Sequence, residues 1–294
     1  MTNSSRPIVR RADRVHDRIE MGPNAQSDER ALIIPLGDPS STDPFLVMGE
    51  EKFSSPGFDW HPHRGVETVT IVLDGLLEHG DNLGNAGVLE PGDVQWMTAG
   101  RGIIHRELAV RREYAHIIQL WVNLPAERKL VATRYQDLRA GTHAVHTEPG
   151  VTVQVISGQT NEVTGPAVNQ WPIFGAMLTF DPRTGYRQVL PSDERIFAYV
   201  VAGPVAIGGR VVRTGQIAWF DPIPGRSVPS TLPFATPDGD GQAKVMVFAG
   251  RPIGEPVVAR GPFVGNSYAE IERAYRDLRA GRLGGVPRGT QVPG

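Results

Sequence analysis

The chain has 294 residues, of which 40% are hydrophobic and 21% charged, and its formal net charge is -2. A near-neutral charge argues against direct docking on nucleic acid, which requires a clustered basic excess. The absence of cysteine excludes disulfide frameworks, zinc–thiolate sites and iron–sulfur clusters. No membrane partner is expected, because the most apolar run, 196–209, is too short and too broken by glycine and proline to cross a bilayer.

The N-terminal half is predicted to consist of short β-strands that end at glycine or proline turns. Residues 1–25 form an extension without the apolar segment of a secretion signal, so we expect a cytoplasmic protein. Asp74-Gly75 is a hairpin-type turn that ends the first run of β-branched residues. The predicted strands of this half are 67–73, 93–98, 103–110 and 116–122.

The C-terminal half repeats this pattern of short strands. A hairpin is predicted at 205–212, around Gly208-Gly209. The other predicted strands are 151–156, 176–180, 196–201, 215–220 and 243–248. Because so many short strands at this spacing are typical of β-sandwiches and barrels, we predict an all-β protein of two domains joined near residues 125–150.

The one helix that the sequence predicts lies near its C-terminal end, at 267–280. Ser267 and Glu270 form a capping box, and Gly281 supplies a C-terminal stop. The apolar residues between them recur at helical spacing and are Ile271, Ala274, Tyr275 and Leu278. This spacing predicts a short helix with one apolar face packed across a sheet.

An H-x-H motif at 61–63 and an H-x-E motif at 105–107 contain candidate metal ligands, which are His61, His63, His105 and Glu107. Residues i and i+2 of a strand share one face, so each motif directs two donor atoms to the same side. Three imidazoles and one carboxylate suit Fe(II), Mn(II), Ni(II), Cu(II) or Zn(II) rather than magnesium or calcium. We expect at most one such metal per chain, because no histidine follows His146.

Glu67 is an alternative carboxylate ligand. It follows His63 by four residues, so strand parity would place both side chains on one face. Glu67 could replace Glu107 as the fourth ligand, or it could hydrogen-bond to a ligand without binding the metal itself. We favour Glu107, because it shares a strand with His105. The other histidines are expected to be structural or on the surface: His16, His79, His116, His143 and His146.

The segments that carry these motifs resemble those of the pirin family of bicupins. The most specific are HPHRGVETVTIVLDG (61–75) and GDNLGNAGVLEPGDVQWMTAGRGIIHRE (80–107), and the resemblance covers nearly the whole chain after about residue 25. Supporting stretches lie at 117–129, 134–138 and 251–266. The resemblance implies two cupin barrels packed face to face, a metal-binding N-terminal cupin at 26–135 and a C-terminal cupin without a metal site at 136–294.

The resemblance also implies one mononuclear metal, usually iron, in the N-terminal cupin, with Mn, Ni, Cu or Zn as substitutes. The ligand positions of the family match His61, His63, His105 and Glu107 in this chain. The chain departs from the family motif at Arg101 and Arg106, where small residues are common. We expect these two arginines at the mouth of the site, where they would change the preference for substrate charge.

Pirins resemble quercetin 2,3-dioxygenases, so the resemblance implies an iron-dependent dioxygenase for a flavonol-type or other enolic or catecholic small molecule. Four protein ligands leave about two positions of an octahedral ion open for such a substrate, and Glu107 could accept its hydroxyl proton. One alternative is a non-enzymatic, iron-dependent redox-sensing regulator that binds a protein partner such as a transcription factor. Another is a metal-dependent cupin isomerase or lyase.

Overall fold

The computed structural model describes residues 8–54, 57–110, 114–160, 163–225, 227–239 and 241–286. Most residues in these ranges lie in strands and one α-helix occurs among them, which confirms the predicted all-β class. No helix in the same ranges is long and apolar enough to cross a membrane.

The described strands are numbered in chain order. Up to residue 138 they are β1 (Ile8–Val9), β2 (Arg14–Asp17), β3 (Ile19–Glu20), β4 (Glu29–Ile34), β5 (Phe45–Phe53), β6 (Phe58–His63), β7 (Val66–Gly75), β8 (Leu77–Asp81), β9 (Ala86–Leu89), β10 (Val94–Thr98), β11 (Ile103–Ala109), β12 (Ala115–Asn123) and β13 (Arg134–Leu138). Beyond it they are β14 (Ala144–Glu148), β15 (Val151–Ser157), β16 (Gln159–Thr160), β17 (Val163–Thr164), β18 (Ile173–Phe180), β19 (Gly185–Pro191), β20 (Arg195–Ala202), β21 (Val205–Ile207), β22 (Arg210–Val212), β23 (Gln216–Phe220), β24 (Pro229–Ala235), β25 (Ala243–Gly250), β26 (Val258–Arg260) and β27 (Phe263–Gly265). The helix is α1 (Tyr268–Arg279).

Contacts divide the described chain into two units that differ from the expected domains. The N-terminal unit comprises 19–142, 169–171 and the residues from Ile253 onward; the C-terminal unit comprises the residues up to Arg18, 143–168 and 172–252. The first strands pair within the C-terminal unit, β1 with β24 and β2 with β23. The helix lies in the N-terminal unit. Strand pairing places β1 and β2, and side-chain packing places the helix; both join residues far apart in sequence, so no local pattern encodes them.

The N-terminal unit contains two larger antiparallel sheets with an apolar core between them, and a two-stranded sheet of β26 and β27. The larger has the strand order β13-β10-β7-β12-β5-β4-β3 and the smaller β6-β11-β8-β9. Side chains from both sheets form one buried cluster: Phe53, Val72, Leu77, Leu89, Ala115 and Ile117. One face of each sheet is turned toward this core, and the central strands β7 and β10 are buried along most of their length.

A glycine turn separates β6 from β7. Gly65 has a φ of +75°, and a Cβ at this position would lie 2.0 Å from the carbonyl oxygen of Val264. Only glycine fits such a close approach in the left-handed region. The turn carries the chain from the smaller sheet into the larger one, so the alternation of faces along β6 does not continue into β7.

The C-terminal unit repeats the two-sheet arrangement. Its larger sheet has the order β14-β15-β18-β25-β20-β23-β2, and a smaller sheet joins β1, β24, β21 and β22, with β19 also paired to β24. Its core is a continuous apolar cluster that includes Phe180, Phe220, Phe234 and Val247. The described core of this unit is therefore mainly apolar.

The predicted helix is confirmed as α1. Ser267 is the N-cap, and its hydroxyl accepts a hydrogen bond from the backbone N–H of Glu270. The apolar face buries Ile271 and Ala274 against Phe263 and Ile104 of the N-terminal unit. The helix thus covers the smaller sheet of the unit that carries both histidine motifs.

Candidate metal centre

Three histidines converge on the inner face of the smaller sheet. His61 and His63 lie on β6 and His105 on the neighbouring β11, where His105 pairs directly with His61. One nitrogen of each ring lies within 4.8 Å of the others, and the His61 and His105 ring centroids are 4.3 Å apart. Within the described ranges, this is the one group of three or more histidine, aspartate or glutamate side chains that meets this distance. The predicted H-x-H motif and His105 are therefore brought together.

The unused nitrogens of this cluster suit a metal. The ring nitrogens of His63 and Nε2 of His105 are buried and complete no hydrogen bond. His61 Nδ1 lies 2.8 Å from the carbonyl oxygen of Asp59, which leaves its Nε2 available. Buried polar atoms without partners are costly, and a cation shared by three imidazoles would satisfy one nitrogen of each ring.

The cluster favours neutral imidazole, which is the form that binds metals. Burial, reinforced by the neighbouring His61, lowers the pKa of His63 to about 3. Burial and the adjacent histidines also hold the pKa of His105 well below its ordinary value. Desolvation disfavours the imidazolium ion, so near neutral pH both rings carry a free lone pair.

Glu107 lies two residues beyond His105 on β11 and is buried. Thr70 Oγ1 donates to its Oε1 at 2.9 Å, and Gln119 Nε2 donates to its Oε2 at 2.8 Å. His105 pairs with His61 whereas Glu107 pairs with Phe58, so the extra residue of this bulge lies in β6 and β11 keeps its alternation. The carboxylate is thus held by two donors and lies outside the 4.8 Å group of the histidines.

The ring of His105 is oriented from the larger sheet by Tyr135. The Tyr135 hydroxyl lies 3.0 Å from His105 Nδ1. Tyr135 stacks on His79 with a centroid distance of 5.5 Å, and His79 Nε2 lies 3.0 Å from Asp137 Oδ2. When His105 Nδ1–H donates to the Tyr135 oxygen, the ring lone pair lies on Nε2, which is the usual arrangement around a metal-binding histidine.

We expect Tyr135→Phe to lower metal affinity about 10- to 100-fold, the usual cost of losing an outer partner of a ligand. The fold would persist, because the aromatic ring and its stacking on His79 are kept. Titration of the stripped protein with zinc, with Tyr114→Phe as the exposed control, measures the change. Unchanged affinity in Tyr135→Phe would show that Tyr135 does not orient His105.

Glu67 is not brought to the histidines. It is fully buried on β7, where Thr98 Oγ1 donates to its Oε1 at 2.7 Å, and burial raises its pKa. Thr70, three residues further along β7, faces Glu107, so alternation places Glu67 on the opposite face of the larger sheet. The expectation that Glu67 shares a face with His63 is wrong, because the Gly65 turn lies between the two strands.

Arg101 and Arg106 do not line the site mouth. Arg106 lies between the inward-facing His105 and Glu107, so its side chain points outward, where it donates to Glu78 Oε1 at 2.6 Å. Its guanidinium also lies 5.2 Å from the ring centroid of Trp60. Arg101 is exposed in the turn before β11. Among the described residues that line the adjoining cavity, neither arginine occurs, which corrects the expectation.

A cavity of about 330 Å³ opens beside the histidines, within the N-terminal unit. His61, His63 and Glu107 form one end of it. The walls are mostly apolar and include Leu32, Val47, Phe58, Ile117 and Trp121. The Trp121 ring packs edge-on against His63 with centroids 5.0 Å apart. An apolar cavity of this size with a polar end suits a flat organic molecule.

Local sequence patterns did not identify several residues that shape this site. Gln119 holds Glu107, Tyr135 contacts His105, and Arg30 and Glu51 line the cavity. The local signal for Gln119 is a polar residue inside an otherwise apolar strand, β12. Tyr135, Arg30 and Glu51 lie on strands that are far from the two motifs in sequence, so no local pattern indicates that they are close in space.

Comparisons with known proteins agree with this architecture. The family model described as Pirin matches residues 21–122, and the model described as Pirin C-terminal cupin domain matches residues 175–284. A protein of Pseudomonas aeruginosa named as a candidate quercetin 2,3-dioxygenase is 39% identical over 271 residues, which span 84% of this chain and 90% of that protein.

Solved structures show the same fold. The crystal structure of a quercetin 2,3-dioxygenase from Acinetobacter baumannii is similar with a TM-score of 0.83 and 26% identity, over 95% of this chain and all 100% of that chain. The bacterial pirin YhhW from Escherichia coli, solved in complex with nickel(II), has a TM-score of 0.64 and 22% identity over 81% of this chain and 100% of its own. With both family models matched and three histidines gathered in its N-terminal cupin, the chain belongs to the pirin family of bicupins.

Proposed function

We propose that this protein is a metal-dependent dioxygenase for a small enolic or phenolic molecule, with iron as the metal. The observation that carries the proposal is the cluster of His61, His63 and His105 at the end of an otherwise apolar cavity. Buried ring nitrogens without partners fit a divalent transition metal, and three imidazoles are suitable ligands for iron(II). When bound, such a metal would supply Lewis acidity and one-electron chemistry that the side chains lack.

Glu107 is proposed as the fourth ligand and as the base. It lies two residues beyond His105 on β11, and hydrogen bonds from Thr70 and Gln119 fix both of its carboxylate oxygens. An enol or phenol hydroxyl at this end of the cavity would place its proton within reach of the carboxylate. Acceptance of that proton by Glu107 would leave the substrate as an electron-rich enolate or phenolate, which reacts more readily with oxygen.

The cavity walls explain why the substrate should be aromatic. Phe58, Ile117 and Trp121 present apolar surface and keep bulk water away from the polar end. Trp121 Nε1 donates to Gln119 Oε1 at 3.2 Å, so the indole is anchored beside the residue that holds Glu107. A rigid apolar wall next to the base positions a flat ring without freezing many rotatable bonds.

The comparisons support this reaction class. The quercetin 2,3-dioxygenase of Acinetobacter baumannii shares the fold over nearly the whole chain, and the Pseudomonas aeruginosa relative carries a related name. Nickel(II) in YhhW supports a metal in this family, while the choice of iron for this chain is part of the proposal.

Oxygen consumption tests the proposed function. The iron-loaded protein is mixed with the flavonol quercetin in air-saturated buffer, and oxygen uptake is followed alongside loss of the flavonol absorbance. We expect uptake in proportion to product and none in protein stripped of metal. Stable flavonol with iron-loaded wild type, across a panel of enols and catechols, would overturn the proposal and favour the regulatory alternative.

A further inference from the structure

The end of the cavity away from the histidines contains two charged side chains, Arg30 and Glu51. They face each other across neighbouring strands, Arg30 on β4 and Glu51 on β5. Both are only half-buried, and their positions are not explained by binding or activating a metal. A charged pair inside an otherwise apolar cavity is a candidate for ligand recognition, because polar groups in such cavities fix orientation and provide specificity.

The strand register gives the separation of the two ends. Glu51 pairs with Ile117 of β12 on one side and with Arg30 on the other, so Arg30 lies two strands away from β12. With strands about 4.8 Å apart, this corresponds to about 10 Å across the cavity floor. Gln119, which holds Glu107, lies two residues along β12 from Ile117. The distance suits a molecule of two or three aromatic rings.

The larger sheet forms the floor of the cavity, and at Gly49, between the two ends, no side chain covers this floor. Gly49 pairs with Gln119 on one side and with Leu32 on the other, in the middle of the three-strand floor. A Cβ at Gly49 would lie 3.9 Å from Glu51 Oε1, so this oxygen overhangs the bare stretch of floor. A flat ring lying above Gly49 would bring its edge to that oxygen.

Glu51 retains one oxygen for a ligand. Ser27 Oγ donates to its Oε2, and in the described part of the chain no hydrogen bond is found to Oε1. Burial raises the pKa of the Glu51 carboxyl, but the hydrogen bond from Ser27 and the charge of Arg30 act against that rise. The free oxygen can therefore accept a hydrogen bond from a hydroxyl group.

Arg30 supplies the matching donors. Within the described ranges its guanidinium forms no ion pair within 4.0 Å and no side-chain hydrogen bond, although Glu51 is its cross-strand neighbour. A lone anion would be attracted by Arg30 and repelled by Glu51. A hydroxyl group satisfies both side chains, since it donates to Glu51 and accepts from Arg30.

We infer that Arg30 and Glu51 form a second recognition site that binds a phenolic hydroxyl on the part of the substrate far from the metal-binding end. The inference rests on the proposed function and narrows its substrate class to polyhydroxylated aromatic molecules of two or three rings. A molecule with the metal-binding enol alone would fill the apolar cavity but leave both charged side chains without partners. Sites built to bind a hydroxyl group discriminate against analogues that lack it, because the unpaired groups stay desolvated.

Binding without oxygen tests this inference separately from turnover. Quercetin, which has phenolic hydroxyls on both outer parts of the molecule, is compared with 3-hydroxyflavone, which has the enol alone. Dissociation constants are measured with the iron-loaded protein under nitrogen. Wild type is expected to bind quercetin about 10- to 100-fold more tightly than 3-hydroxyflavone. This ratio corresponds to the free energy of a hydrogen bond to a charged group.

Glu51→Gln and Arg30→Gln are each expected to lose at least about tenfold in quercetin affinity, with little change for 3-hydroxyflavone. The matched controls are Glu29→Gln, an exposed neighbour of Arg30 whose carboxylate pairs with Lys52, and the exposed Arg101→Gln. Retained binding of 3-hydroxyflavone shows that each variant is folded. The inference would be overturned if wild type bound both compounds with equal affinity, or if the variants lost affinity equally for both. Selective binding of quercetin without turnover would overturn only the proposed reaction.

Discussion

His105→Ala is expected to remove the bound metal and, with it, all oxygen-dependent activity. His105 occupies the centre of the site, since it pairs with His61 across the strands and its ring centroid lies 5.1 Å from that of His63. Losing an outer partner of a ligand costs about 10- to 100-fold in affinity, so the loss of a ligand itself is expected to exceed about 100-fold. Elemental analysis of the purified variant, after dialysis against a chelator, measures the effect.

Glu67→Gln is the matched control for this loss. Glu67 is as buried as His105 but lies on the other face of the larger sheet, where it bonds with Thr98. We expect it to retain one metal equivalent per chain, like wild type. Full metal content in His105→Ala, or metal loss in Glu67→Gln with an intact fold, would contradict the assignment of the site.

Glu107→Gln is expected to reduce turnover by about 10²–10⁴-fold, the range that a general base usually supplies. The amide keeps the size of the side chain and an oxygen for Gln119 to donate to, but it cannot accept a proton from the substrate. Metal content is measured first, so that the rate is expressed per bound iron. Flavonol binding under nitrogen is expected to persist, because the apolar walls are unchanged.

Glu78→Gln serves as the control carboxylate in this experiment. Glu78 lies on the neighbouring strand β8 but points outward, where Arg106 donates to it. Its removal is expected to leave the rate per iron unchanged. A Glu107→Gln variant that turns over flavonol as fast as wild type, at equal iron content, would show that Glu107 is not the base.

The part of the site that could be predicted from sequence is the part encoded within single strands. The H-x-H spacing places His61 and His63 on one face whatever the rest of the fold, and the same alternation directs His105 inward. Their convergence follows from the pairing of β6 with β11, which the structure shows. The strand-rich fold class and the capped helix α1 were also evident from local patterns.

Two expectations about side-chain direction were wrong. For Glu67, the alternation of side chains along a strand was assumed across a turn, and for Arg106 that alternation was not taken into account. Parity from His63 to Glu67 fails because Gly65 turns the chain between two sheets. Parity between His105 and Glu107 holds, and it alone places Arg106 on the outside, bonded to Glu78. The expectation of arginines at the site mouth came from the family motif rather than from the geometry of the strand.

The rest of the site depends on contacts between residues far apart in sequence. Tyr135 reaches His105 over a separation of 30 residues, and Thr70 reaches Glu107 over 37. The return of the chain from Ile253 to the N-terminal unit brings α1 back over β11 and its neighbours. Local propensity carries no information on such pairings, because they are selected by the packing of whole sheets.

Isotope labelling tests the central claim most directly. Iron-loaded wild type is allowed to convert quercetin under oxygen-18 gas, and the product is analysed by mass spectrometry. A dioxygenase supported by this site predicts that both atoms of one labelled oxygen molecule appear in the product, in wild type and not in His105→Ala. Product oxygen derived from water, or identical labelling in His105→Ala, would contradict the account.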